Sequence, residues 1–164
     1  MKHVLYSWTM LPDRRRPSHP DVVQSWDHPP IVFITVCTHG RKPILARPEV
    51  LTALRAAWSD SSDWFVGRFV IMPDHIHLFC GPSRSDSSPV RNWVRYWKSL
   101  ATRRWPWPEE RPVWQSDFWD RQLRNDESYS QKWEYVRLNP VRHNHVTHPE
   151  DWPYQGELHE LRWH

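Results

Sequence analysis

Two histidines alternate with apolar residues in "VIMPDHIHLFC", residues 70–80, and this segment constrains the fold more than any other. The dipeptide Pro73–Asp74 predicts a tight turn between two apolar runs, each with the composition of a strand. Side chains alternate along a strand, so His75 and His77 face one side of the sheet and Ile76 faces the other. The segment therefore predicts a β-hairpin that presents two imidazoles on one face.

The remaining hydrophobic patterns predict a single α+β domain. Strands are expected at 31–38, 63–72, 75–80 and 113–119, and helices at 47–59, 90–105 and 124–139. We expect Asn125 or Asp126 to cap the last helix and Pro140 to end it. This order is typical of a ferredoxin-like fold, an antiparallel sheet with helices on one face, here with an additional C-terminal helix.

The domain is predicted to span residues 31–164, including a polar C-terminal tail, and a proline-rich basic arm precedes it at residues 1–30. Arg14, Arg15 and Arg16 lie in this arm. They could contact phosphate, or the arm could be a solvated leader without a role. A length of 164 residues suits one domain with a real core.

Composition narrows the class of protein further. The formal net charge of +3, with arginine far more frequent than lysine, permits a polyanionic partner and mildly favours nucleic acid. Cys37 and Cys80 lie in apolar runs, which excludes a disulfide framework and a cysteine-rich zinc site. No apolar run approaches the roughly 20 residues that span a bilayer, so we expect a cytoplasmic protein without membrane contact.

The histidine pair is suited to binding one cation, although two hydrogen-bonded histidines at a strand edge are an alternative. A third ligand is expected from the last helix, where Tyr135 and Asn139 are four residues apart and share a face. An amide oxygen favours Mg²⁺ or Mn²⁺ over zinc. The Tyr135 phenol could then attack a phosphate, although a helical tyrosine taken alone is more often core or surface filler.

Three motifs resemble a known family when they are taken in this order and at these separations. "MPDHIHL", "WQSDFWDRQLRNDESY" and "WEYVRLNPVR" resemble the single-tyrosine transposases of the HUH class (IS200-like), in which two histidines flank a hydrophobic residue. The likeness is greatest to the REP-associated tyrosine transposases, which are linked to repeated extragenic palindromes in bacterial genomes. The resemblance extends from about residue 31 to residue 152.

The resemblance implies an enzyme that cuts and rejoins single-stranded DNA near palindromic hairpins. Members form a covalent 5′-phosphotyrosine link and free a 3′-OH that later reverses the step. On the matching positions, Tyr135 is the expected nucleophile of the additional C-terminal helix, which is then catalytic. His75, His77 and Asn139 are the expected ligands of Mg²⁺ or Mn²⁺, and no nucleotide cofactor is expected.

DNA binding is expected to rest on basic side chains near two helices. The expected contacts are Arg91, Arg95 and Lys98 on the exposed face of the helix at 90–105, and Arg121, Arg124, Arg137 and Arg142 around the last helix. The resemblance implies either a monomer or a homodimer. After "NPVR" the chain departs from the family with His143, His145 and His148, which are either surface residues or modifiers of metal affinity or of tail placement.

Two other functions are compatible with the same sequence. One is a catalytically inactive module of this fold that binds hairpin DNA or RNA without forming a covalent adduct. The other is a metal-dependent hydrolase that uses water as its nucleophile, whose cleavage would survive Tyr135→Phe. The joint presence of the phenol, both imidazoles and the amide favours the transposase.

Overall fold

The computed structural model describes residues 19–22, 29–124 and 128–162. Within them, one antiparallel sheet is built in the order β4-β1-β3-β2-β5. The strands are β1 (Val32–Cys37), β2 (Trp64–Ile71), β3 (His75–Pro82), β4 (Trp119–Gln122) and β5 (Gln155–Glu157). The predicted α+β class is confirmed, and β3 with its two histidines is the central strand.

Helices cover both faces of this sheet. The two long helices, α1 (Pro48–Asp60) and α2 (Val90–Arg103), pack together on one face. On the other face lie α3 (Tyr129–Arg137) and the short α4 (Asn139–Arg142). Single 3₁₀ turns are present at His39–Arg41, Pro108–Glu110 and Pro149–Asp151.

Alternation along the strands divides the core into two clusters. Ile34, Ile76 and Leu78 point toward α1 and α2, where they meet several indoles, and we call this side the tryptophan face. Phe33 and Phe79 point toward α3, on the side that also carries both histidines. We call this second side the histidine face. The first cluster is the larger of the two, as expected for the face that two long amphipathic helices cover.

Glycine is required where β2 passes under the C-terminal segment. The pairing of β2 with β3 shifts register between Val66 and Phe69, and Gly67 lies in this bulge. A Cβ on Gly67 would lie 2.6 Å from Cδ1 of Leu161 and 2.8 Å from the hydroxyl of Tyr129. The close approach lets the first residue of α3 reach the sheet, where the Tyr129 hydroxyl accepts a hydrogen bond from the Arg68 N–H at 3.1 Å.

Several predicted boundaries are wrong. The fourth strand is β4 at Trp119–Gln122 rather than 113–119, and within 113–118 an isolated bridge joins Trp114 to Thr38. The tail contributes an edge strand, β5, that its polar sequence did not indicate. The last helix is also shorter than predicted, because α3 begins at Tyr129 with Ser128 as its cap. The predicted caps Asn125 and Asp126 lie outside the described residues.

Pro140 does not end the helical segment as predicted. The chain breaks at Leu138 and resumes as α4, with Pro140 in its first turn, where a missing N–H costs nothing. Across the described ranges, no helix combines the length and the apolar character that crossing a bilayer requires. The cytoplasmic location stays a prediction.

The predicted arm is described in one short piece, residues 19–22, and Arg14, Arg15 and Arg16 lie outside the described residues. Nε2 of His19 lies 2.5 Å from Oδ1 of Asp117, and its Nδ1 lies 2.6 Å from Oδ1 of Asp120. Val22 packs against the tryptophan-face core. This piece therefore contacts the domain, and the predicted boundary at residue 31 stays a prediction.

Candidate active site

The two imidazoles lie side by side on the central strand. His75 pairs with Cys37 of β1 and His77 pairs with Thr35, so strand alternation brings both rings to the histidine face. Their ring centroids are 4.7 Å apart, with an angle of 75° between the ring planes. Phe33 stacks on the His77 ring at 5.4 Å, which fixes its orientation from the neighbouring strand.

Each imidazole uses Nδ1 for a hydrogen bond. Nδ1 of His75 lies 2.7 Å from Oδ1 of Asp74, and Nδ1 of His77 lies 2.9 Å from Oγ1 of Thr35. Within the described ranges, no hydrogen bond engages Nε2 of either ring. A partner at one ring nitrogen orients the other, so Nε2 is the nitrogen that each ring presents to a cation.

The charge states of the pair suit metal binding. Burial, followed by the charge of His75, places the pKa of His77 well below its ordinary value, so this ring keeps its lone pair at neutral pH. Burial acts to raise the pKa of Asp74, but its hydrogen bond with His75 and the charges of His75 and Arg41 outweigh burial and lower it. Asp74 is therefore ionised and can hold the proton of His75 at Nδ1.

The last helices bring the predicted nucleophile to the same place. A cleft between α3 and the sheet is lined by Phe33, His77, Lys132, Tyr135, Val136 and Asn139. Tyr135 and Asn139 thus share a cleft with one imidazole of the pair. The other imidazole, His75, borders His77 directly and is nine-tenths buried at its side chain, with 12% exposed.

Asn139 is oriented by its own helix end. Its Nδ2 donates to the Val136 carbonyl at 2.9 Å, which turns Oδ1 away from the main chain. That oxygen lies 3.5 Å from Nη1 of Arg142, at the limit of a hydrogen bond. Nη2 of Arg142 donates to the Tyr135 carbonyl at 2.7 Å, and its guanidinium lies 3.8 Å from the centre of the Tyr135 ring. Arg142 therefore connects both predicted site residues of the last helix.

The donor set, two imidazoles and one hard amide oxygen, can hold a divalent cation with an incomplete protein shell. In the part of the chain that the structure describes, no three His, Cys, Asp or Glu side chains are grouped as a metal site. Two imidazoles and one amide oxygen would leave positions open for substrate oxygens, as in catalytic sites that use Mg²⁺. The residues are thus compatible with the predicted Mg²⁺ or Mn²⁺, and metal binding stays a prediction.

The predicted DNA-binding arginines do not form one surface. Arg91 and Arg95 are exposed on α2, over the tryptophan face, whereas Arg121 is exposed on β4 beside the histidine face. Arg124 is exposed after β4. Arg137 is engaged with two carboxylates, donating to Glu134 at 2.7 Å and to Glu150 at 3.3 Å.

The predicted exposure of Lys98 is wrong. Its side chain is buried, and Nζ donates to the main-chain carbonyl of Gln115 at 2.9 Å. Burial lowers the pKa of Lys98 to about 8. The amine ties α2 to the segment before β4, and it reaches there because a lysine stem can cross apolar surface to a distant acceptor.

Three contributors to the site were not predicted as such. Thr35 is a lone polar residue in an apolar strand, and Asp74 directly precedes the first histidine, so both had a sequence signal. The third is His143, at the end of α4, whose pKa is lowered first by partial desolvation and then by the charge of His75. His143 therefore lies near the histidine pair. The sequence alone did not place it there, because it was compatible with a surface residue as well as with a modifier of metal affinity.

A sheet with paired histidines and a helical tyrosine in the adjoining cleft is the arrangement that the resemblance to the single-tyrosine transposases leads us to expect. No protein-family model matches the chain. A Haemophilus influenzae protein whose name assigns it to the REP-associated tyrosine transposases is 33% identical over 142 residues, covering 77% of this chain and 78% of the relative. The chain therefore belongs to the REP-associated tyrosine transposase family.

One further relative and two solved structures are also similar to this chain. The REP-associated tyrosine transposase of Escherichia coli is 27% identical over 89 residues, covering 54% of this chain and 52% of the relative. The structure of a REP-associated tyrosine transposase bound to a REP hairpin superposes with a TM-score of 0.65 at 23% identity, covering 83% of this chain and 81% of that one. A Deinococcus radiodurans protein described as a transposase has a TM-score of 0.50 at 17% identity, covering 71% and 95%. These two structures share the fold.

Proposed function

We propose that this protein cleaves and rejoins single-stranded DNA beside palindromic hairpins, with Tyr135 as the nucleophile. The observation that carries the proposal is the cleft in which Tyr135, Asn139 and His77 meet, although they come from helices and a strand far apart in sequence. A tyrosine that only filled the core would be expected to have apolar neighbours, whereas Tyr135 lies beside an imidazole and an amide.

The proposed reaction is a transesterification. The Tyr135 phenolic oxygen attacks the scissile phosphorus and gives up its proton, while the bond from phosphorus to the 3′-oxygen breaks and that oxygen takes up a proton. The products are a 5′-phosphotyrosine and a 3′-OH. Attack by a 3′-OH on this link reverses the step, so the bond energy is conserved and no nucleotide cofactor is required.

The chain's own residues position these atoms. The hydrogen bonds of Asp74 and Thr35 fix the two imidazoles, and Asn139 presents its amide oxygen from the first position of α4. A bound Mg²⁺ or Mn²⁺ would supply charge neutralisation at the non-bridging phosphate oxygens. Arg142 holds a permanent positive charge against the Tyr135 ring, where it favours an approaching phosphodiester.

The proposed partner is a DNA hairpin with unpaired flanks. A neighbouring structure of this fold belongs to a REP-associated tyrosine transposase bound to a REP hairpin. On this chain, Arg91, Arg95, Arg121 and Arg124 are exposed, and their guanidinium groups suit contact with phosphate. These arginines are distributed over both faces of the sheet, which suits a folded DNA hairpin better than a straight single strand.

The test is to capture the covalent species. Hairpins that bind the protein are selected from a pool with randomised stems and flanks, labelled, and incubated with Mg²⁺ or Mn²⁺. We expect a protein–DNA adduct that survives denaturation, and Tyr135→Phe should abolish it while leaving hairpin affinity within about threefold, since only a hydroxyl is lost. Tyr96→Phe, on the exposed side of α2, is the matched control and should retain the adduct.

Two results would contradict the proposal. Binding by the native chain without any adduct under either cation would indicate the inactive binding module. Cleavage that persists in Tyr135→Phe and leaves a free 5′-phosphate would indicate a hydrolase with water as its nucleophile.

A further inference from the structure

A tryptophan lies two strands away from the histidine pair, on the same face of the sheet. Trp119 pairs with Thr35 of β1, and Thr35 pairs on its other side with His77. Residues directly opposite each other in antiparallel strands share a face, so all three side chains point to the histidine face. With strands spaced about 4.8 Å apart, Trp119 and His77 are separated by about 10 Å at the backbone.

Trp119 lies outside both core clusters of the described residues. It is half-buried, yet it is a member of neither the tryptophan-face cluster nor the histidine-face cluster and is not among the partly buried residues packed against them. Among the described residues, its ring makes no aromatic contact and its indole N–H has no hydrogen-bond partner. Within the described residues, a large apolar side chain is thus held at the sheet edge with neither an aromatic contact nor a hydrogen bond.

The surroundings of Trp119 suit one strand of nucleic acid. β4 is an edge strand, so nothing in the sheet covers the indole from the outer side. Arg121, two residues further along β4, points to the same face and is exposed, as the alternation of a strand requires. A flat aromatic ring beside a guanidinium is the usual combination for stacking a base while holding its phosphate.

We propose that Trp119 is a stacking platform for an unpaired base close to the scissile phosphate. The path of the single strand would then run from the cleft at Tyr135, across Thr35 of β1, to the edge at β4. This inference rests on the proposed function, because it takes the phosphate to lie at the histidine pair. It adds a binding subsite for a nucleobase, with tolerance for base identity, since every base has an aromatic face.

The test compares two probes in a Tyr135→Phe background, where no cleavage interferes with binding. One probe is a selected hairpin with unpaired flanks, and the other is the same hairpin without them. We expect Trp119→Ala to weaken binding of the flanked probe by about 5- to 150-fold, the range for one stacked base, and to leave the blunt probe unchanged within about twofold. Trp119→Phe should restore most of the loss.

An abasic scan of the flanks locates the stacked base. Removal of one particular base should weaken binding to the Trp119 protein by the same factor and have no further effect in Trp119→Ala, because the two changes delete one interaction. Phe65→Ala is the matched control, since Phe65 is 38% exposed on β2 and pairs with Gly81, near the opposite end of β3. It should leave the preference for the flanked probe intact.

Four outcomes are decisive. An equal loss on both probes would show that Trp119 supports the fold or the stem and would overturn the stacking role, as would no loss on either. Selective loss that Trp119→Phe restores supports it. If the parent protein binds neither probe, the proposed function fails, and the role of Trp119 fails with it.

Discussion

The two faces of the sheet use the same strands for different purposes. On the tryptophan face, Trp58, Trp93 and Trp97 are at most 2% exposed. Trp97 meets Trp58 and Trp93 edge to face, and Trp58 also lies tilted against Phe69. The histidine face has a smaller core and gives part of its area to polar side chains. The alternation of side chains therefore places the larger core on one face and the candidate site on the other, and substitutions on the two faces should have different consequences.

The largest expected effect is on stability, from Trp93→Ala. Trp93 is 1% exposed and its Nε1 donates to the Ser61 carbonyl at 2.8 Å, so truncation removes both a buried ring and a hydrogen bond. We expect the free energy of unfolding in urea to fall by about 3–5 kcal/mol. Tyr96→Ala, on the outer side of the same helix, should cost under about 0.5 kcal/mol.

The expected independence of the two faces would be contradicted if Trp93→Ala also abolished adduct formation per folded molecule. The separation predicts that the folded fraction, measured by circular dichroism, retains the activity of the native chain.

A buried amine on the tryptophan face predicts an unusual dependence of stability on pH. Burial lowers the pKa of Lys98 from 10.5 to about 8, so the unfolded chain binds this proton more tightly than the folded one. Stability from this group should therefore rise between pH 8 and pH 10.5, by up to about 3 kcal/mol. The difference in unfolding free energy between the native chain and Lys98→Met, measured across this range, isolates the effect.

A constant difference across that range would contradict the buried position of Lys98. Both proteins should also carry Cys37→Ala, because the Cys37 thiol interacts electrostatically with Lys98 and its contribution would not cancel in the subtraction.

On the histidine face, Asp74→Asn should affect chemistry more than stability. The amide keeps the size of the carboxylate but loses the charge that holds the His75 proton at Nδ1. We expect the Mn²⁺ concentration for half-maximal adduct formation to rise about 10- to 100-fold, as is typical for partners of metal ligands. Asp63→Asn, which removes a carboxylate bonded to Ser88 at the far end of the sheet, is the control.

An unchanged Mn²⁺ dependence in Asp74→Asn would argue that this carboxylate does not orient the ring. A large loss of unfolding free energy would instead show that the histidine face carries more stability than its small core indicates.

The smallest expected effect comes from His19, which links the described piece of the arm to β4 and the residues before it. His19→Gln keeps one of the two contacts with Asp117 and Asp120 and loses the other. We expect a loss of about 1 kcal/mol in unfolding free energy and no change in adduct formation. His39→Gln, at an exposed turn, should be neutral, and an equal effect of both variants would contradict a specific role for the His19 contacts.

The sequence predicted those parts of the fold and of the candidate site that depend on a single local pattern, such as hydrophobic periodicity or strand alternation. β1, β2, β3, α1 and α2 follow from hydrophobic periodicity, and the placement of His75 and His77 on one face follows from strand alternation. The sequence also pointed to Tyr135 and Asn139, because four residues in a helix return to the same side. That these two meet His77 depends on the packing of α3 against the sheet, which local periodicity does not contain.

The errors occur where tertiary contacts override local composition. β4 forms later in the chain than the apolar run indicates, because the pairing partner on β1 selects Trp119–Gln122. β5 is polar and three residues long, and its strand character comes from β2 beside it. Lys98 sits among exposed arginines in a helical projection but finds a buried acceptor on another segment.

The antiparallel pairing of β3 with both of its neighbours also disfavours incorrect strand registers during folding. A mispaired hairpin, slipped by a single residue, would drive both imidazoles into the indole-lined interior and turn Ile76 and Leu78 outward. In such a chain the two imidazoles would be buried without their hydrogen bonds to Thr35 and Asp74, and two apolar side chains would be exposed. An incorrect register therefore carries two separate costs in free energy. The two histidines of the proposed site thereby also favour the correct strand pairing.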